Sequence, residues 1–122
     1  MSMKKIDVLG TEYEVLVRGY GELTIFEKKS ISGYCDDILH KIVICDIMTH
    51  PGFEDETEEY CRKVEKMTLR HEIVHAFLNE SGLQASTCVP SESGWARNEE
   101  MVDWIAIQLP KIMKAFEEAD AL

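Results

Sequence analysis

The pattern of apolar and polar positions predicts a strand-rich first half. Between residues 4 and 18, Ile6 and Val8, then Tyr13, Val15 and Val17, alternate with polar neighbours around a Leu9-Gly10-Thr11 turn, the mark of a hairpin. Gly19-Tyr20-Gly21 breaks the pattern, and residues 23–29 suit either a strand or a short helix. Ser32-Gly33-Tyr34-Cys35 then leads through Asp36-Asp37 into Lys41-Ile42-Val43-Ile44-Cys45, the best strand in the chain. A second hairpin is therefore expected, with three to five strands in all. Residues 46–53, which include Pro51-Gly52, read as a connecting loop.

The period then lengthens. Tyr60, Val64, Met67, Val74 and Leu78 recur at helical spacing, and His71 and His75 fall on the same stripe. Acidic residues over 54–59 and Gly82 supply start and stop signals for a helix from about 55 to about 81. A loop rich in Ser, Thr, Gly and Pro fills 83–93. A second helix should begin between Gly94 and Asn98, with Met101, Val102, Ile105, Ala106 and Leu109 as its apolar set. Pro110 kinks or ends that helix, or opens a last one with Ile112, Met113 and Phe116 on its buried side. Residues 117–122 are expected to fray. The expected fold is α+β, one domain over residues 1–122. It has a small, mostly antiparallel sheet packed on a long helix, followed by one or two further helices.

Composition narrows the partners. Thirteen basic against 23 acidic residues give a formal charge of −10, which disfavours nucleic acid and anionic membranes, since both need a basic face. A protein or peptide partner remains. The first eight residues lack the long apolar stretch of a signal peptide, and no stretch reaches the length of a membrane span. Cys35, Cys45, Cys61 and Cys88 are widely spaced, with no C-x-x-C, and are expected to be reduced thiols. A cytoplasmic protein is expected.

The candidate chemistry lies in the long helix. His71-Glu72-Ile73-Val74-His75 is an H-E-x-x-H motif. Residues four apart share one face of a helix, so the two imidazoles can converge on one metal ion while Glu72 works on a water bound there. The competing reading is a pair of core histidines held by hydrogen bonds. It is the weaker one, because the two flank a glutamate at this spacing.

A catalytic zinc takes three protein ligands. The four histidines stand at 40, 50, 71 and 75, and Ser81 occupies the place of a third downstream histidine. A carboxylate must then complete the site, drawn from Glu80, Glu92, Glu99, Glu100, Asp103 or the tail. Glu99 and Asp103 are themselves four apart. That spacing suits a ligand carboxylate plus a second one that accepts the free ring N–H of a ligating histidine. Glu100 is the runner-up, and an acidic first helical turn is the ordinary alternative for both glutamates.

With these residues in view, the chain resembles the gluzincin zinc peptidases. Its small size and element order resemble the compact ImmA/IrrE-type metallopeptidases of bacteria, phages and integrative elements. The resemblance covers roughly residues 40–110 and rests on His71-Glu72-x-x-His75 and the Asn98-Glu99-x-x-x-Asp103 segment. It implies a hydrolase that binds zinc through His71, His75 and Glu99, with Glu72 as general base. It further implies a peptide held along a strand edge, within 41–46 or its hairpin partner 31–35. Candidates for an oxyanion donor are Tyr34, His50, Trp95 and Arg97, and the spacing does not choose among them. The chain departs from the family in the run Glu100-Met101-Val102-Asp103-Trp104-Ile105-Ala106 and in having no attached helix-turn-helix. The alternative function is an interaction module that keeps the zinc fold without turnover. A structural zinc would call on thiolates, for which Cys61 and Cys88 are the candidates.

Overall fold

The first hairpin forms as the alternation predicts. In the computed structural model, which describes residues 3–86 and 94–122, strands β1 (Met3–Val8) and β2 (Thr11–Gly19) pair antiparallel from Met3↔Leu16 to Val8↔Thr11. Leu9 (φ 51°) and Gly10 (φ 92°) make the two-residue turn, both left-handed, as a tight hairpin requires. The ambiguous segment becomes a short helix, α1 (Ile25–Lys28), which buries Phe26.

Strands β3 (Gly33–Asp36) and β4 (Lys41–Asp46) form the second hairpin, from Gly33↔Ile44 to Asp36↔Lys41. The sheet order is β1-β2-β4-β3, so β4 lies between β2 and β3 and pairs with β2 in parallel. Two of the three pairings are antiparallel, in line with a mostly antiparallel sheet, and the central β2–β4 pairing is parallel, which makes the sheet mixed. The reason lies in β4 itself. Ile42, Val43, Ile44 and Cys45 are all buried, and a strand apolar on both faces belongs inside a sheet. Ile42 and Ile44 join Val8, Tyr13, Val15 and Ala76 on one face. Val43 and Cys45 turn to the other, in a cluster with Phe26 and Ile47 that extends to Cys61 on the long helix.

Helix α2 (Glu58–Glu80) crosses the first of these faces. Thr57 caps its start by accepting the Tyr60 amide at 3.1 Å, Glu58 and Glu59 fill the first turn, and Gly82 (φ 83°) ends it. Its buried residues are Cys61, Glu72, Ala76 and Leu78. Tyr60 and Met67, placed on the core stripe by periodicity, are 48% and 46% exposed. The helix is turned so that Leu69 and Ile73 meet the sheet while Val74 and Leu78 meet the last helix.

After the four-residue α3 (Leu83–Ser86), helix α4 (Glu99–Glu118) starts at Asn98, which accepts the Met101 amide at 2.8 Å. Val102 and Ala106 are its buried residues. The helix runs unbroken through Pro110, so no separate last helix forms. Met113 and Phe116, expected on a buried side, are 39% and 44% exposed. Among the described residues, no helix is long and apolar enough to cross a membrane.

Candidate metal centre

His71 and His75 project from α2 toward the first turn of α4, as the four-residue spacing requires. Their Nε2 atoms are 3.1 Å apart. Glu99, the first residue of α4, sets Oε1 2.6 Å from His75 Nε2 and 3.5 Å from His71 Nε2. Two nitrogens and one oxygen thus meet in one small triangle. Ligand atoms about 2 Å from a tetrahedral zinc lie about 3.3 Å from each other. Two of the three edges are close to that value, and the third is the length of a charged hydrogen bond. The donor set, two imidazoles and a carboxylate, suits zinc.

Asp103, one turn further along α4, sets Oδ1 2.6 Å from His71 Nδ1. That carboxylate holds the Nδ1–H tautomer, which leaves the Nε2 lone pair directed into the triangle. Glu100 is the neighbour that periodicity could not eliminate. It is exposed and lines an outer hollow with Met101, Trp104 and Ile107. Glu99 is the glutamate that meets the histidines.

Glu72 is the buried charged residue of the described chain, 7% exposed. Its carboxyl is pushed up to about 7, chiefly because burial disfavours its charge. The nearby His71 opposes the shift, while Glu99, Asp37 and Asp103 add to it. A buried carboxyl beside a cluster of metal-binding type is within reach of a proton on a group held there.

Two clefts meet at this point. One, of about 400 Å³, is lined by Lys29, Tyr34, Cys35, Asp37, Gln84 and Arg97, together with Glu72, His75 and Glu99. The other, of about 330 Å³, is more apolar, with Ile31, Val64, Met67, Ala106 and Ile107 beside His71, Glu72, Glu99 and Asp103. Gly33 and Ile31 line both. Strand β3 is therefore the floor they share, and it is an edge strand. The Ser32 carbonyl accepts the Cys45 amide at 2.8 Å. Antiparallel pairing alternates, so Gly33 and Cys35 turn their N–H and C=O groups to the open side. Of the two edges expected from the resemblance, β4 is interior and β3 is available.

Gly33 makes this closeness possible. A Cβ there would stand 2.7 Å from Thr68 Cγ2 and 3.0 Å from Ile44 Cδ1. Glycine in a strand is a general signal of such an approach, and here, at the start of β3, it brings the strand against α2 one turn from the motif.

Of the four oxyanion candidates, Tyr34 and Arg97 line the larger cleft. His50 is packed between Tyr20 and Phe53, and its Nδ1 accepts the Gly52 amide. Trp95 is 61% exposed and lines neither cleft. Cys61 sits in the core with Phe26 and Val43, away from the histidines; Cys88 and Glu92 lie outside the described residues. Asp37 and Gln84, joined by a 2.7 Å hydrogen bond on the cleft wall, were not legible from spacing because one lies in the turn after β3 and the other in α3, 47 positions on.

Compared with protein-family models, with curated proteins and with solved structures, the chain has no match. Its function is argued from this geometry.

Proposed function

We propose that the protein is a zinc-dependent peptidase of minimal zincin-like fold. The observation that carries the reading is the meeting of His71 Nε2, His75 Nε2 and Glu99 Oε1 beside a buried glutamate, at the junction of two clefts. His71, His75 and Glu99 would hold the ion, and Asp103 would orient His71. When bound, zinc supplies a Lewis acid for a water and a scissile carbonyl, and positive charge beside Glu72.

Glu72, buried beside the three ligand side chains, takes the proton of the attacking water and returns it to the leaving amine. Arg97, which lines the larger cleft, is the candidate to steady charge on the carbonyl oxygen, whereas Tyr34 packs against the cluster of Phe26, Val43 and Cys45. The substrate is an extended polypeptide whose backbone bonds to the free edge of β3 at Gly33 and Cys35. An apolar side chain of that substrate fits the cleft between Ile31, Val64, Met67 and Ile107. On the resemblance to ImmA/IrrE-type enzymes, the reading extends to an intracellular peptidase of the phage or mobile-element kind, acting on one protein partner.

The test is metal content by mass spectrometry on protein purified without chelator or histidine tag, beside Glu99→Ala and Glu72→Gln. About one zinc per chain is expected, diminished in Glu99→Ala and retained in Glu72→Gln, with peptide hydrolysis abolished in the latter. No zinc after zinc is supplied sinks the reading. Zinc retained without any hydrolysis by the wild type leaves a zinc-held interaction module instead.

A further inference from the structure

A proline in the middle of a helix strips a carbonyl of its donor, and in α4 the identity of that carbonyl matters. The amide of residue 110 would bond the carbonyl four residues earlier, at Ala106. Pro110 has no N–H, so that bond is not made. Ala106 is 3% exposed, which leaves water little access to replace it. The donor comes from the other helix: Arg70 Nε reaches the Ala106 carbonyl at 2.9 Å.

The position of this bond gives it a second meaning. Arg70 directly precedes His71, and Ala106 lies three residues after Asp103. Arg70 to Ala106 and His71 to Asp103 are therefore two adjacent rungs between α2 and α4. A rung of fixed length to a backbone atom sets the axial register of the two helices, as a flexible side-chain pair does not. A helical rise of about 1.5 Å per residue means that a slip of one residue is enough to change the 2.6 and 3.5 Å contacts of Glu99 Oε1 with the two imidazoles by several times the tolerance of a metal–ligand bond.

We infer that Arg70 is a positioning residue of the metal centre: it binds the carbonyl that Pro110 vacates and so holds α4 where Glu99 and Asp103 meet His75 and His71. Pro110 is then the feature that opens α4 to this grip. The functional half of the inference rests on the metal reading above; the bond itself does not.

The test is a double-mutant cycle of Arg70→Met, which keeps the stem and removes the donor, with Pro110→Ala, which gives Ala106 back its helical amide. Zinc affinity is measured by competition with a chromophoric chelator, and unfolding of the metal-free chains by urea. Arg70→Met is expected to weaken zinc roughly tenfold, at the lower end of what outer partners of metal ligands cost. In the Pro110→Ala background the same substitution should cost less than about threefold, and the destabilisation should shrink in parallel. Any effect of the lost positive charge is common to both backgrounds, so the difference isolates the hydrogen bond. Equal penalties in both backgrounds, in affinity and in stability, would overturn the inference. Coupled stabilities with unchanged zinc affinity would reduce Arg70 to a structural tie, and a wild type that binds no zinc would remove the positioning role together with the metal reading.

Discussion

Asp103 Oδ1 stands 2.6 Å from His71 Nδ1, a charged contact between a carboxylate on α4 and the ring that opens the motif on α2. The contact fixes which ring nitrogen carries the proton, and it does so from the same helix that brings Glu99. Removing it should therefore loosen the site without removing a ligand. Asp103→Ala is expected to lower zinc affinity by about 10- to 100-fold, read by chelator competition. Glu100→Ala, on the outer face of the same turn, should leave affinity unchanged. Equal affinities for Asp103→Ala and the wild type would show that His71 needs no partner.

The approach of β3 to α2 has a steric test. Gly33→Ala places a methyl 2.7 Å from Thr68 Cγ2 and 3.2 Å from the Val43 carbonyl, an overpacking that should cost about 1–3 kcal/mol in urea unfolding. Thr68→Ser removes that Cγ2 while keeping the hydroxyl that donates to the Val64 carbonyl at 3.0 Å. The double variant should recover much of the loss. If Gly33→Ala alone is as stable as the wild type, the strand does not sit this close to the helix.

Glu72 makes the stability of the metal-free protein depend on pH in a stated direction. Its folded-state carboxyl is raised from 4.5 to about 7. Below about pH 4.5 it is neutral whether the chain is folded or unfolded. Between 4.5 and 7 the unfolded chain ionises first, so stability falls as pH rises, by about 3 kcal/mol at the outside. Glu72→Gln, measured in chelator, should match the wild type near pH 4 and exceed it near pH 8. Parallel curves would mean that Glu72 ionises freely where it stands.

The histidine pair and Glu99 could be read from the chain because each is a matter of spacing within one helix. His71 and His75, and Glu99 and Asp103, are both four apart, and four apart means one face. What spacing could not give is how one helix turns against two partners at once. Tyr60 and Met67 share a period with Val64 and Val74, yet α2 packs on the sheet through Leu69 and Ile73 and on α4 through Val74 and Leu78. Tyr60 and Met67 are left outside. The placement of β4 was half visible: four consecutive buried apolar residues mark a central strand, but its parallel partner β2 lies beyond α1 and β3. Pro110 was read as a stop or a kink because its compensation, Arg70, sits 40 positions earlier on another element.

The ligand set of the proposed centre is divided between α2 and α4, with His71 and His75 on one and Glu99 on the other. On that reading, ion concentration and helix docking are two handles on a single equilibrium. Free zinc at a hundredfold excess over its dissociation constant would add about 2.7 kcal/mol to the folded state by mass action alone. Metal supply would then govern how long the chain survives as well as whether it can act, so that scarcity of the ion silences the protein by exposing it to degradation.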